Sequence, residues 1–254
     1  MSNAMEVSGV WKSFQTHTRI GVKELLLKPR LRHAGRFSRH WALKDISFTV
    51  KRGQAFGIVG HNGAGKSTLL DLLLGTTRPD KGTITLHGAV SGLLDLGAGF
   101  HPELNGRENV MLYGSILGMS LAEIKRKLPS IVEFSELRDA IEEPIRTYSA
   151  GMVARLGFST IIHAHSDVLL VDEVLAVGDA RFQQKCIAYI HEFRRNNGSL
   201  VIVSHEKASL EAMCDEAMCL HLGEMRALGP TATVLEEYDR LLNSNNAERA
   251  SAAA

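Results

Sequence analysis

Gly60-His61-Asn62-Gly63-Ala64-Gly65-Lys66-Ser67-Thr68 fits the pattern G-x-x-x-x-G-K-[ST], and a chain carrying it between a strand and a helix has few folds open to it. Both flanks are present: Gln54 to Val59 is a short apolar run suited to a buried strand, and Leu69 to Leu74 opens an apolar helix. The chemistry explains the residue types. Glycines let the backbone curl around an anion without Cβ clashes. Successive N–H groups then point inward, and the following helix adds its positive N-terminal end. On this reading Gly60, Asn62, Gly63, Ala64, Gly65, Lys66, Ser67 and Thr68 hold a nucleotide. Lys66 places a point charge on its β- and γ-phosphates, and Ser67 offers a hydroxyl to Mg²⁺.

The remaining strands are legible in the same way. Val168 to Val171 and Leu200 to Val203 are buried-strand candidates, and Val7 to Phe14 and Trp41 to Val50 read as two more. Helical stretches separate them, which predicts an α/β fold with a mostly parallel sheet flanked by helices. Residues of about 101–165 read as mostly helical, with Asn105 placed to cap a helix and Glu108 three residues on. Residues 15–40 are basic (Arg19, Lys23, Lys28, Arg30, Arg32, Arg36 and Arg39 against Glu24). From about Asn243 the chain is small and polar, and residues 243–254 are expected to form a flexible tail.

Composition removes several function classes. The net charge of +1 argues against a nucleic-acid partner. Cys186, Cys214 and Cys219 form no CxxC pair, so they read as buried apolar side chains of a reduced protein rather than a zinc site or disulfide framework. No apolar run is long enough to span a bilayer and no signal peptide opens the chain.

Three further motifs extend the nucleotide reading. Val168-Leu169-Leu170-Val171-Asp172-Glu173 is an apolar strand ending in two carboxylates: Asp172 is placed to hold Mg²⁺ and Glu173 to polarise an attacking water. Tyr148-Ser149-Ala150-Gly151-Met152 lies upstream, and Ser204-His205 ends the Leu200–Val203 strand. In this order the motifs make the chain resemble the ABC ATPase family over nearly its whole length. The resemblance implies that Ser149 and Gly151 belong to the signature sequence that grips the γ-phosphate, although Ala150 and Met152 depart from its usual Gly and Gln. It makes His205 the switch histidine that contacts the γ-phosphate, and Asp179 the D-loop aspartate that addresses an opposite subunit. Phe14 falls where the family places an aromatic against adenine; a buried core role is the other reading, and Trp11 is a nearby substitute. The family's Q-loop glutamine is missing, since glutamine occurs only at 15, 54, 183 and 184. Asp95, His101 or water are the candidates for its place.

The resemblance further implies an ABC ATPase domain spanning 1–242, made of a P-loop NTPase core, an N-terminal antiparallel β subdomain and an inserted helical subdomain at about 101–165. It implies ATP and Mg²⁺ as ligands, an ATP-sandwich homodimer, and a transmembrane permease subunit served from the cytoplasmic face of the inner membrane as a peripheral protein. Leu94 to Asn109, the Met152 ending and Val174-Leu175-Ala176-Val177-Gly178-Asp179 after the acids are similar to the subfamily that exports lipid-linked polysaccharide: O-antigen, capsule or teichoic acid. The basic 15–40 insertion is similar to one found there, and either faces an anionic leaflet or glycan or is a solvated loop. Some members carry a C-terminal carbohydrate-binding β-sandwich; 254 residues leave no room for one, so either the chain is of the shorter type or it is a piece cut from a longer protein. An ABC ATPase of another exporter and a soluble ABC ATPase are the alternatives, though the fused halves or long coiled coil usual in the soluble class are absent. A small-molecule kinase would leave Tyr148–Met152 and His205 without a role.

Overall fold

The computed structural model describes residues 2–17, 37–94, 96–172 and 178–252. Two sheets organise the chain. A three-stranded antiparallel sheet, in the order β2-β1-β4, is built from β1 (Asn3–His17), β2 (Phe37–Lys51) and β4 (Lys81–Leu86). A six-stranded sheet runs β5-β6-β7-β3-β8-β9, from β5 (Val90–Leu93), β6 (Val168–Asp172), β7 (Ser199–Val203), β3 (Ala55–Val59), β8 (Glu216–His221) and β9 (Glu224–Pro230). All its neighbours are parallel except β8 and β9, which form a hairpin.

The central strands are buried on both faces, so they are apolar throughout rather than alternating. Successive side chains still part to opposite layers. Phe56, Ile58, Leu170, Val201, Val203, Met218 and Leu220 pack towards the antiparallel sheet and helix α1 (Lys66–Leu73). Ala55, Val59, Leu169, Val171, Leu200, Ile202 and Cys219 pack the other way. That second layer is closed by α4 (Ala150–His163), α5 (Ala180–Arg195), α6 (Lys207–Met213) and α7 (Thr231–Ala252). A third core lies in the helical segment, between α2 (Gly106–Ile116), α3 (Leu121–Ser135) and α4. Cys186, Cys214 and Cys219 are buried in the second layer, where loss of water pushes their thiols up to about 12, about 12 and about 11.

Two boundaries differ from the sequence expectation. β1 and β2 stay paired into the stretch assigned to the basic insertion, with Gln15 opposite Arg39 and His17 opposite Phe37, so residues 15–17 and 37–40 belong to the hairpin. Arg19, Lys23, Lys28, Arg30, Arg32 and Arg36 lie outside the described residues. The stretch from Asn243, expected as a flexible tail, continues α7 to Ala252. Its Ala, Glu and Arg residues favour a helix once packing of the first turns has supplied the nucleus. No helix among the described residues is long and apolar enough to cross a membrane.

Candidate nucleotide site

β6, β7 and β3 are adjacent and parallel, with Asp172 paired to Val203 and Val203 to Ile58. Their carboxyl ends therefore bring three sequence motifs to one edge: Asp172 at the end of β6, Ser204-His205 after β7, and the glycine-rich loop after β3. Clefts at this edge of a parallel sheet are where open α/β folds bind ligands.

The loop is set by backbone geometry. Gly65 caps α1 at φ 107, a left-handed conformation, and a Cβ there would lie 2.7 Å from the Ala42 carbonyl oxygen. No side chain caps α1 and its first turn carries no acid. By contrast, Asn105, Ser120, Ser149 and Asp179 cap α2 to α5 with their side chains. The leading amides of α1 are thus left for an anion. Lys66 Nζ donates to the carbonyls of Gly60 (2.6 Å) and His61 (3.1 Å), bracing the loop across its mouth. From behind, Gly223 in the β8–β9 turn donates to Ala64 O (3.0 Å) and accepts from Lys44 N (2.8 Å), which ties the loop to β2.

A cleft of ≈ 400 Å³ opens over this loop. Asn62, Gly63, Gly65, Lys66, Ser67, Thr68 and Asp172 form its floor, and Phe14, His40 and Ala42 form one wall. Phe14 is 46% exposed, with Lys12 Nζ 5.5 Å from its ring centre, so the buried-core reading does not hold. Trp11 is instead packed edge-on against Trp41 at 5.2 Å and does not line the cleft. Burial pushes the Asp172 carboxyl above the usual carboxylate range, and the Lys66 charge pulls it back. Burial likewise lowers Lys66, with Asp172 opposing. A half-buried carboxylate next to an exposed Ser67 hydroxyl is a donor set suited to a hard divalent cation, whose charge would offset that desolvation. Glu173 lies outside the described residues. His205 is exposed, and the buried Ser204 hydroxyl before it accepts from Glu206 N (2.9 Å).

Ser149, Gly151 and Asp179 fall into a second group, none of which lines the cleft. Ser149 is exposed at the tip of α4, and its Oγ accepts from Met152 N (3.2 Å). A Cβ on Gly151 would lie 3.8 Å from Gly178 Cα, so the signature turn sits against the loop that carries Asp179. Asp179 accepts from Phe182 N (2.9 Å) at the start of α5; that bond, then the Arg155 charge, hold its carboxyl below the usual range.

Of the candidates for the missing glutamine, Asp95 lies outside the described residues. His101 is exposed, away from the cleft, and its Nδ1 accepts from Glu103 N (3.3 Å). The residue that organises this stretch is one that motif reading passed over. Asn109, fully buried, accepts from His101 N (2.6 Å) and donates to His101 O (3.1 Å), Leu104 O (2.9 Å) and Asn105 O (2.9 Å). The expected capping box of Asn105 and Glu108 is present one turn earlier. Asn109→Ala is expected to lower stability by about 2–3 kcal/mol, because buried backbone groups lose their partner. Urea unfolding measures this; a loss under about 0.5 kcal/mol would mean the pin carries nothing.

Larger clefts lie elsewhere, including one of ≈ 730 Å³ beside His163 and Tyr189, but none contains the glycine-rich loop. A glycine-rich anion loop, a lysine and a half-buried carboxylate at the carboxyl edge of a mostly parallel sheet define a P-loop nucleotide-hydrolysing protein. Residues 43–176 match the family described as ABC transporter. The chain belongs to that family and is an ATPase of it. It is 42% identical to the O-antigen export system ATP-binding protein RfbB of Klebsiella pneumoniae over 95% of this chain and 100% of that one. It is 37% identical to the teichoic acids export ATP-binding protein TagH of Bacillus anthracis over 82% of this chain and 38% of that one. The fold is that of a solved ATP binding subunit of an ABC transporter, with a TM-score of 0.72 at 20% identity, covering 93% of each chain.

Proposed function

We propose that this chain is the motor subunit of an exporter that moves a lipid-linked surface polysaccharide of the O-antigen class across the cytoplasmic membrane. The observation that carries the reading is the end-to-end match, at 42% identity, to an O-antigen export ATP-binding protein. The subunit acts peripherally on the cytoplasmic face, under a transmembrane permease that is a separate chain. Teichoic acid and capsule exporters are the neighbouring cargo classes, supported by the teichoic acid relative.

The mechanism follows from the two groups of residues. ATP lies in the cleft, its adenine against Phe14 and its phosphates on the loop amides and Lys66. Ser67 and Asp172 would hold Mg²⁺, which would supply neutralisation of the phosphate charge. Ser149 and Gly151 of a second copy close over the γ-phosphate, and Asp179 meets the opposite subunit beside them. Glu173 polarises the attacking water, and His205 positions it against the γ-phosphate. ATP then binds the closed pair far better than the open one, so hydrolysis and phosphate release reopen it. The test is co-reconstitution with the cognate permease in vesicles, followed by ATP-dependent movement of lipid-linked glycan to the far leaflet. A complex that hydrolyses ATP normally and moves no such glycan would overturn the cargo assignment.

A further inference from the structure

The face that carries Ser149 and Asp179 is held together from beneath by one side chain. Arg155, on α4, has only 18% of its side chain exposed, against 62% for Asp179. Its guanidinium bonds the Asp179 carboxylate, faces Glu136 at 3.7 Å and lies over the Phe182 ring at 5.2 Å. Gly178 completes the fit: it has φ +72, and a Cβ there would come within 3.0 Å of Arg155 Nε. Glu136, at the left-handed end of α3, also pairs with Lys185 of α5 at 3.4 Å. Lys185 Nζ in turn donates to Phe134 O (2.8 Å). The guanidinium therefore stands where α3, α4 and the start of α5 meet, a place a planar two-sided donor fills and a point charge does not.

We infer that Arg155 is a positioning residue that locks the Ser149–Gly151 turn to the Gly178–Asp179 loop, so that the two reach a second copy as one rigid surface. The inference rests on the two-copy reading above. Arg155 does not line the cleft over the glycine-rich loop; it acts through Asp179. Its loss frees the loop to move independently of the α4 tip, and the closed pair must then order that loop at its own cost.

The test uses the full chain in a Glu173→Gln background with ATP and Mg²⁺. Three quantities are read: nucleotide affinity in dilute protein, the dimer dissociation constant by sedimentation velocity, and Tm. Arg155→Met is expected to leave nucleotide affinity within about twofold and to weaken the dimer by about tenfold, the value of one charge-assisted bond. Asp179→Asn is expected to weaken it too, and the double variant by less than the product of the two, because both remove one contact. Arg155→Lys replaces Arg155→Met in this cycle if the latter does not fold. A fully multiplicative cycle, an unchanged dimer constant, or equal losses in nucleotide affinity and dimerisation overturns the inference. A parent that forms no ATP-dependent dimer overturns the two-copy reading and this inference with it; a dimerising parent whose Arg155 variants dimerise equally overturns the inference alone.

Discussion

Glu173→Gln is expected to slow ATP hydrolysis by about 10²–10⁴-fold, the range for losing a general base, while ATP still binds and a closed dimer accumulates. The amide keeps the size of the side chain but cannot take a proton from water. In the proposed site, binding rests on groups elsewhere: the amides of α1, Lys66 and the Phe14 wall. Glu173 follows Asp172 in the chain, and Asp172 ends β6, in the same parallel sheet as β7 and β3. Single-turnover hydrolysis with a parallel size measurement decides the matter. A variant with undiminished turnover removes Glu173 from the role of base.

Lys66→Ala is expected to weaken ATP binding by about 10²-fold, since the loss of charge-assisted bonds worth about 3 kcal/mol corresponds to that factor. Two losses combine. The positive charge on the phosphates goes, and so does the brace to the Gly60 and His61 carbonyls that sets the loop's curvature. A third effect follows from Asp172, whose carboxyl is pushed up by burial and held down by Lys66. Without that amine the carboxylate protonates more readily and becomes a poorer cation ligand. Titration of a fluorescent ATP analogue measures the loss, and unchanged affinity would take Lys66 out of the site.

The parts of the site that were legible in the sequence are those where chemistry dictates residue type over a short span. The glycine-rich loop and the strand ending at Asp172 need no partner from elsewhere in the chain to be read, and the structure places both at one sheet edge. Phe14 was ambiguous because a lone aromatic in a strand fits a core and a ligand wall equally. Its pairing with His40 across the hairpin, and its exposure, are tertiary facts. Asn109 and Arg155 stayed hidden for a related reason. An Asn or Arg on a helix face looks like a solvated residue until the loops it binds, 101–105 and 178–179, are folded over it. Charge marks where solvent is, not where backbone pairing stops, so the basic insertion and the hairpin overlap: β1 and β2 stay paired at Arg39 and Phe37. The stretch from Asn243 is helical to Ala252, which composition does not reveal, since small residues populate both irregular chain and helix.

Ser149 stands on the outside of its own subunit, at the exposed tip of α4. On the proposed two-copy mechanism hydrolysis is a matter of encounter, so its rate per subunit would rise with subunit concentration and fall on dilution. On that proposal, two copies tethered under one permease would meet at an effective concentration set by the tether's geometry rather than by cellular abundance. Machinery built this way would consume ATP where the pair is anchored and idle where a subunit drifts alone.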